Sequence, residues 1–106
     1  MVQATQSTIS NVTWRRMAEK AAREGLRAYR LNGDRRSWAV TSHSLDKVAY
    51  EVTILDGDLL CSCRGSMFHS YCKHRALVLA NLQLLADETD DRPVVPERVV
   101  QALASV

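Results

Sequence analysis

Apolar and polar positions repeat along this chain with two different periods, and the switches between them mark the elements. Trp14, Met17, Ala18 and Ala21 recur at helical spacing, Arg16, Lys20 and Arg23 take the other side, and Gly25 ends the run. This predicts an amphipathic helix over 14–24, capped by Thr13, with a basic outer stripe and Trp14 in the core. Residues 1–12 are polar, mixed and aperiodic, which predicts a poorly ordered N-terminal segment. The period then shortens to two. Segments of strand character at 26–32, 37–43 and 48–55 are separated by the turn-forming clusters Asn32-Gly33-Asp34 and Ser44-Leu45-Asp46-Lys47. In the third, Val48, Tyr50, Val52 and Ile54 alternate with Ala49, Glu51, Thr53 and Leu55, so one face belongs to the core, as Trp38 does in the second. Asp56-Gly57 signals a tight hairpin returning into a short strand over 58–63.

Beyond residue 72 the helical period returns in a different form. Between Ala76 and Ala86 only Asn81 and Gln83 are polar, so a helix over 73–86 must be covered on more than one side. The sheet can cover one face, and the first helix or the C-terminal segment another; failing these a second chain must, which is compatible with a homodimer. Asp87-Glu88-Thr89-Asp90-Asp91 reads as a solvated acidic linker. After Pro93 and Pro96, Val99, Leu103 and Val106 share one side of a short C-terminal helix. The expected fold is α+β: an N-terminal helix, an antiparallel meander of three to four strands, a buried apolar helix and a short last helix. A domain over 13–86 is expected, followed by the linker and helix of 87–106.

The candidate chemistry lies where strand gives way to helix. The chain's three cysteines, Cys61, Cys63 and Cys72, fall with His74 inside fourteen residues, as C-x-C, eight residues, and C-x-H. Four soft donors at that density predict one zinc ion, which prefers a tetrahedron of thiolate and imidazole. Cys61 and Cys63, at i and i+2 of a strand, face the same side roughly 6.6 Å apart along it. Cys72 and His74 would point nearly opposite ways inside a helix at about 100° per residue, so Cys72 belongs just before a helix start and His74 in its first turn. Gly65, Ser66 and Ser70 suit the connecting loop. His69 competes with His74 as fourth ligand, but only His74 has a fixed offset from Cys72. A disulfide would leave one cysteine over, and MVQATQSTIS lacks the basic start and apolar core of a secretory signal. An intracellular, cytoplasmic protein is expected, a nucleoid or nuclear one being compatible.

The order strand, Asp-Gly turn, strand ending in C-x-C, loop, then C-x-H opening an apolar helix resembles the SWIM zinc finger. The flanks Val48-Ala49-Tyr50-Glu51-Val52 and Cys72-Lys73-His74-Arg75-Ala76-Leu77 resemble it too, and the likeness covers about residues 48–85. It implies a module for DNA or protein binding, since the family occurs in transposases, helicase-associated proteins, partners of recombinases and ubiquitin-pathway proteins.

Charge sharpens this only when divided along the chain. Residues 1–86 carry twelve Lys and Arg against seven Asp and Glu, and residues 87–106 two against five. A basic domain with an acidic end is compatible with nucleic-acid contact. The expected contacts are Arg64, Lys73 and Arg75 beside the zinc and Arg16, Lys20 and Arg23 on the first helix. Phe68 and Tyr71 are expected to pack on the zinc loop. The alternative is a protein adaptor that docks its apolar helix on a larger DNA-processing enzyme such as a helicase, transposase or recombinase. No enzyme activity is expected: four protein ligands close the metal site, the cysteines are claimed by it, and Gly25, Gly33, Gly57 and Gly65 are isolated rather than grouped in a phosphate loop. No membrane span is expected either, the run Ala76-Leu77-Val78-Leu79-Ala80 being far below the ~20 residues a bilayer needs.

Overall fold

Ser10 sets the first element: its hydroxyl accepts the Thr13 N–H at 3.2 Å, and helix α1 runs Asn11–Arg23. In the computed structural model, which describes residues 9–41, 48–63 and 72–104, the cap is therefore Ser10 rather than Thr13. An oxygen in that polar stretch satisfies a first-turn amide and starts the helix three residues early. Asn11, Trp14, Ala18 and Ala21 form the buried face of α1, while Arg16, Lys20 and Arg23 are exposed. The helix closes with Gly25 at φ +85°, its N–H bonded to Ala22 O and that of Leu26 to Ala21 O, which leaves Leu26 buried against the helix end.

Four antiparallel strands follow in sequence order: β1 Ala28–Leu31, β2 Asp34–Thr41, β3 Ala49–Leu55 and β4 Asp58–Cys61. Asn32 and Gly33, at φ 56° and 72°, form a two-residue turn pairing Leu31 with Asp34, so β2 begins earlier than its apolar residues suggest. Asp56 and Gly57, at φ 53° and 85°, do the same between Leu55 and Asp58. The connection over 42–47 lies outside the described residues. One sheet face buries Trp38, Val40, Val52, Ile54 and Leu59. Tyr29, Leu55 and Leu60 remain exposed.

Helix α2, Lys73–Asn81, lies between this face and α1, and His74 through Leu79 are all buried in it. The chain itself thus covers the apolar helix, with no second chain required. It stops earlier than residue 86 because Gln83 adopts φ 63° while its N–H and that of Leu84 bond back to Ala80 and Leu79. A left-handed residue here is Gln rather than Gly, so composition carried no stop signal.

The last segment returns to the start of the chain. Ser10 bridges Pro93, Asn11 N–H donates to Arg92 O at 2.9 Å and its side-chain amide to Asp87 O at 3.2 Å. Asp90, expected in a solvated linker, is 9% exposed and takes hydrogen bonds from Arg92 and Arg98. Helix α3, Pro96–Ala104, buries Val99. Its start presses on the β3–β4 turn, where Gly57 meets the Pro96 backbone.

Candidate metal centre

The pairing of β3 with β4 extends one residue past the strand end and sets the first pair of donors. Ser62 N–H donates to Glu51 O and Glu51 N–H to Ser62 Oγ, both at 2.9 Å, so Cys61 and Cys63 flank a residue fixed from two sides. Cys63 is buried, and its N–H approaches Cys61 Sγ at 3.5 Å. The second pair comes from the start of α2. Cys72 is its N-cap, extended at φ −159°, with Sγ accepting the Arg75 N–H at 3.5 Å, and His74 sits in the first turn. A helix N-terminus favours a negatively charged sulfur.

These elements bring the donor atoms of Cys61, Cys63, Cys72 and His74 within 4.8 Å of one another. A zinc tetrahedron with thiolate bonds of about 2.3 Å has edges of about 3.8 Å, so modest contraction closes the group on one ion. His74 Nδ1 is buried and without a hydrogen-bond partner among the described residues, as a ligating atom would be before the metal is counted. The Tyr50 ring lies 4.8 Å from the imidazole, tilted by 49°, and holds its orientation. All three cysteines are free of disulfides. The donor set, the orphaned nitrogen and the spacing are consistent with one zinc.

The Cys61 and Cys72 thiols lie close enough to set each other's charge state. The hydrogen bond from Cys61 is the largest influence on Cys72 and brings it down to about 4, helped against burial by the amide and charge of Arg75. The same bond, with burial, pushes the Cys61 thiol up. Two thiolates this close repel, and a divalent ion relieves that repulsion.

Zinc with three thiolates and a neutral imidazole carries one net negative charge, and burying it requires a partner. Arg75 is 6% exposed and supplies the opposite sign next to the centre. Expected as a surface contact for nucleic acid, it is instead an interior charge. Lys73, expected in the same role, binds Glu24 at 2.7 Å and ties the start of α2 to the end of α1. Arg16, Lys20 and Arg23 remain exposed on α1 and make no ion pair among the described residues. Arg64, His69, Phe68 and Tyr71 lie outside the described residues. Two contributors had no sequence signal as site residues: Tyr50, read only as a strand core position, and Glu24, whose partner is 49 positions away.

Residues 50–83 match the family model of the SWIM zinc finger, and all four candidate ligands fall inside that span. The segment is a SWIM zinc-binding module. No curated protein and no solved structure matches the chain.

Proposed function

We propose that this chain is a nucleic-acid-binding module, not an enzyme, in which a structural zinc holds the β3–β4 hairpin against α2 and the outer face of α1 meets the phosphate backbone. The observation that carries this is the stripe Arg16, Lys20 and Arg23, at i, i+4 and i+7, exposed and unpaired among the described residues. Arg15, by contrast, is taken by Glu19 and Glu88. Three cations held on one rigid helix lose little freedom on meeting phosphates. Lys73 and Arg75 leave this interface, being paired and buried respectively. Four protein donors fill a tetrahedral metal site and leave no coordination position for substrate, which argues for a structural ion. The adaptor alternative loses α2 as its docking face, because that helix is covered within the chain.

Binding should be weak and tolerant of sequence, since α1 offers charge and few groups suited to reading base edges. On duplex DNA each phosphate neutralised contributes a slope of about −0.9, so three contacts give about −2.7, or a loss of about forty-fold between roughly 50 and 200 mM salt. Fluorescence anisotropy with the zinc-loaded chain tests this. The variant Arg16→Gln/Lys20→Gln/Arg23→Gln should lose most of the affinity and most of the salt slope. No association with duplex or single strands at low salt sinks the reading and returns the adaptor as the better one.

No helix among the described residues is long and apolar enough to cross a membrane. We propose an intracellular location, which is supported by three cysteines that a disulfide would leave unevenly paired and that the zinc site uses as free thiols.

A further inference from the structure

Leu55 and Val100, 59% and 48% exposed, line one groove where α3 meets the β3–β4 hairpin. This groove, of about 430 Å³, continues past Asp56 toward the start of the helix. Its helical wall is the stripe Glu97, Val100 and Ala104, at i, i+3 and i+7, while Val99 turns the other way and is buried. The middle is apolar and the two halves differ in charge. Asp56 and Glu97 line the half at the start of α3, with no cation beside them. The half at its end, with Leu103 and Ala104, brings in Arg36. Arg36, Asp56 and Glu97 are exposed, and none makes an ion pair among the described residues. Arg35, bonded to Leu103 O, adds a second positive charge at that end.

We propose that this groove is the contact surface of a symmetric homodimer, in which α3 of a second copy lies antiparallel along it and Val100 of each copy enters the groove of the other. A surface with cations at one end and carboxylates at the other is complementary to itself. A two-fold axis near Val100 sets Glu97 of one copy against residues 103–104 of the other, where that copy's Arg36 stands. From residue 97 to 104 the helix rises about 10.5 Å, so the charges bracket an apolar middle. The association should be weak, because stable interfaces bury roughly 1,200–2,000 Å² in total and two short helices with their hairpin ends lie at the low end of that range. Helix α2 plays no part, being covered within each copy. The groove includes none of the α1 cations, so the inference does not rest on nucleic-acid binding.

Sedimentation velocity on the full zinc-loaded chain, freed of nucleic acid, tests the proposal across about 1–300 µM, where weak interfaces associate. The mass should rise from the 11.9 kDa of one chain toward twice that value. Val100 is exposed, so Val100→Glu should keep the fold, which circular dichroism and zinc content verify. It should raise the dimer dissociation constant about ten-fold or more, since it puts two carboxylates into the apolar middle. Arg36→Glu and Glu97→Arg should each stay monomeric at concentrations where the parent pairs, because each sets like charges against each other at both ends. Mixed in equal amounts the two variants should associate, since in that heterodimer every end joins opposite signs. A parent that keeps the mass of one chain throughout overturns the homodimer and leaves the groove to a partner of another sequence. A dimer that Val100→Glu leaves intact, or a mixture of the two charge variants that stays monomeric, overturns this groove as the contact surface.

Discussion

Replacing Gly57 by alanine should unseat α3, and Gly33 provides an internal control for the size of the effect. Both glycines sit second in two-residue hairpin turns with positive φ, +85° and +72°. Alanine at either costs about 1–2 kcal/mol for the left-handed backbone alone. At Gly33 nothing lies within 4 Å of the added carbon, so that is the whole effect. At Gly57 the added carbon meets the Pro96 carbonyl oxygen, and lies 2.8 Å from the Pro96 carbonyl carbon and 2.9 Å from its Cα. These are backbone atoms and cannot swing aside, so the start of α3 must lift. Val99, fully buried one turn later, then loses its cover, which is worth about 1.5–3 kcal/mol. Gly57→Ala should therefore lose about 2.5–5 kcal/mol, against about 1–2 for Gly33→Ala. Urea unfolding of the zinc-saturated proteins measures the difference, and amide exchange over 96–104 should show where it arises. If the two variants fall within about 0.5 kcal/mol of each other, the hairpin turn does not hold α3 by this contact.

The remaining expectations concern the metal, its counter-charge and the C-terminal segment. Elemental analysis should find one zinc per chain, reduced in His74→Ala and retained in His69→Ala; the reverse pattern moves the fourth ligand to His69. Structural zinc binding appears as folding energy, on the order of 10 kcal/mol in isolated fingers, so chelation should accelerate amide exchange at 58–63 and 72–75 before α1. Unchanged exchange after metal loss would refute the structural role. Arg75→Ala should weaken zinc about ten-fold or more by competition with a chromophoric chelator, and Lys73→Ala should not; equal affinities would remove Arg75 as the counter-charge. The Asp90 carboxyl is held well below the usual carboxylate range, first by the Arg92 side chain and then by its amide, with the Arg98 charge adding to them. A lowered folded value means stabilisation that is full above the unfolded pKa of about 3.9 and fades as pH falls through the folded one. Asp90→Asn should accordingly unfold more easily than the parent at pH 7 and converge with it in strong acid, and a gap independent of pH would exclude this origin.

Features written within a few residues of one another were legible in the chain. Strand alternation around Val52 and Ile54, the Asn32-Gly33 and Asp56-Gly57 turns, and the helical face of Trp14, Ala18 and Ala21 each reflect a backbone geometry that repeats locally. The zinc ligands belong to the same class: C-x-C on a strand end and C-x-H at a helix start converge because two short segments each aim their own pair. Charge was legible in amount and not in destination. Arg16, Lys73 and Arg75 look alike along the chain, yet one faces solvent, one is captured by Glu24 and one lies inside beside the thiolates. Only packing separates them, because the partner that decides each fate sits on another element.

The ends of elements followed the same division. Gly25 announced the close of α1, whereas α2 stops on Gln83, a residue with no intrinsic preference for the left-handed turn it makes. The acidic run 87–91 reads as solvated by composition, but Asp90 turns inward because Arg92 and Arg98 meet it and the segment pairs with Ser10 and Asn11. Local periodicity determines what each segment can become, and long-range burial, which sums contacts from distant parts of the chain, determines which surfaces are left to act.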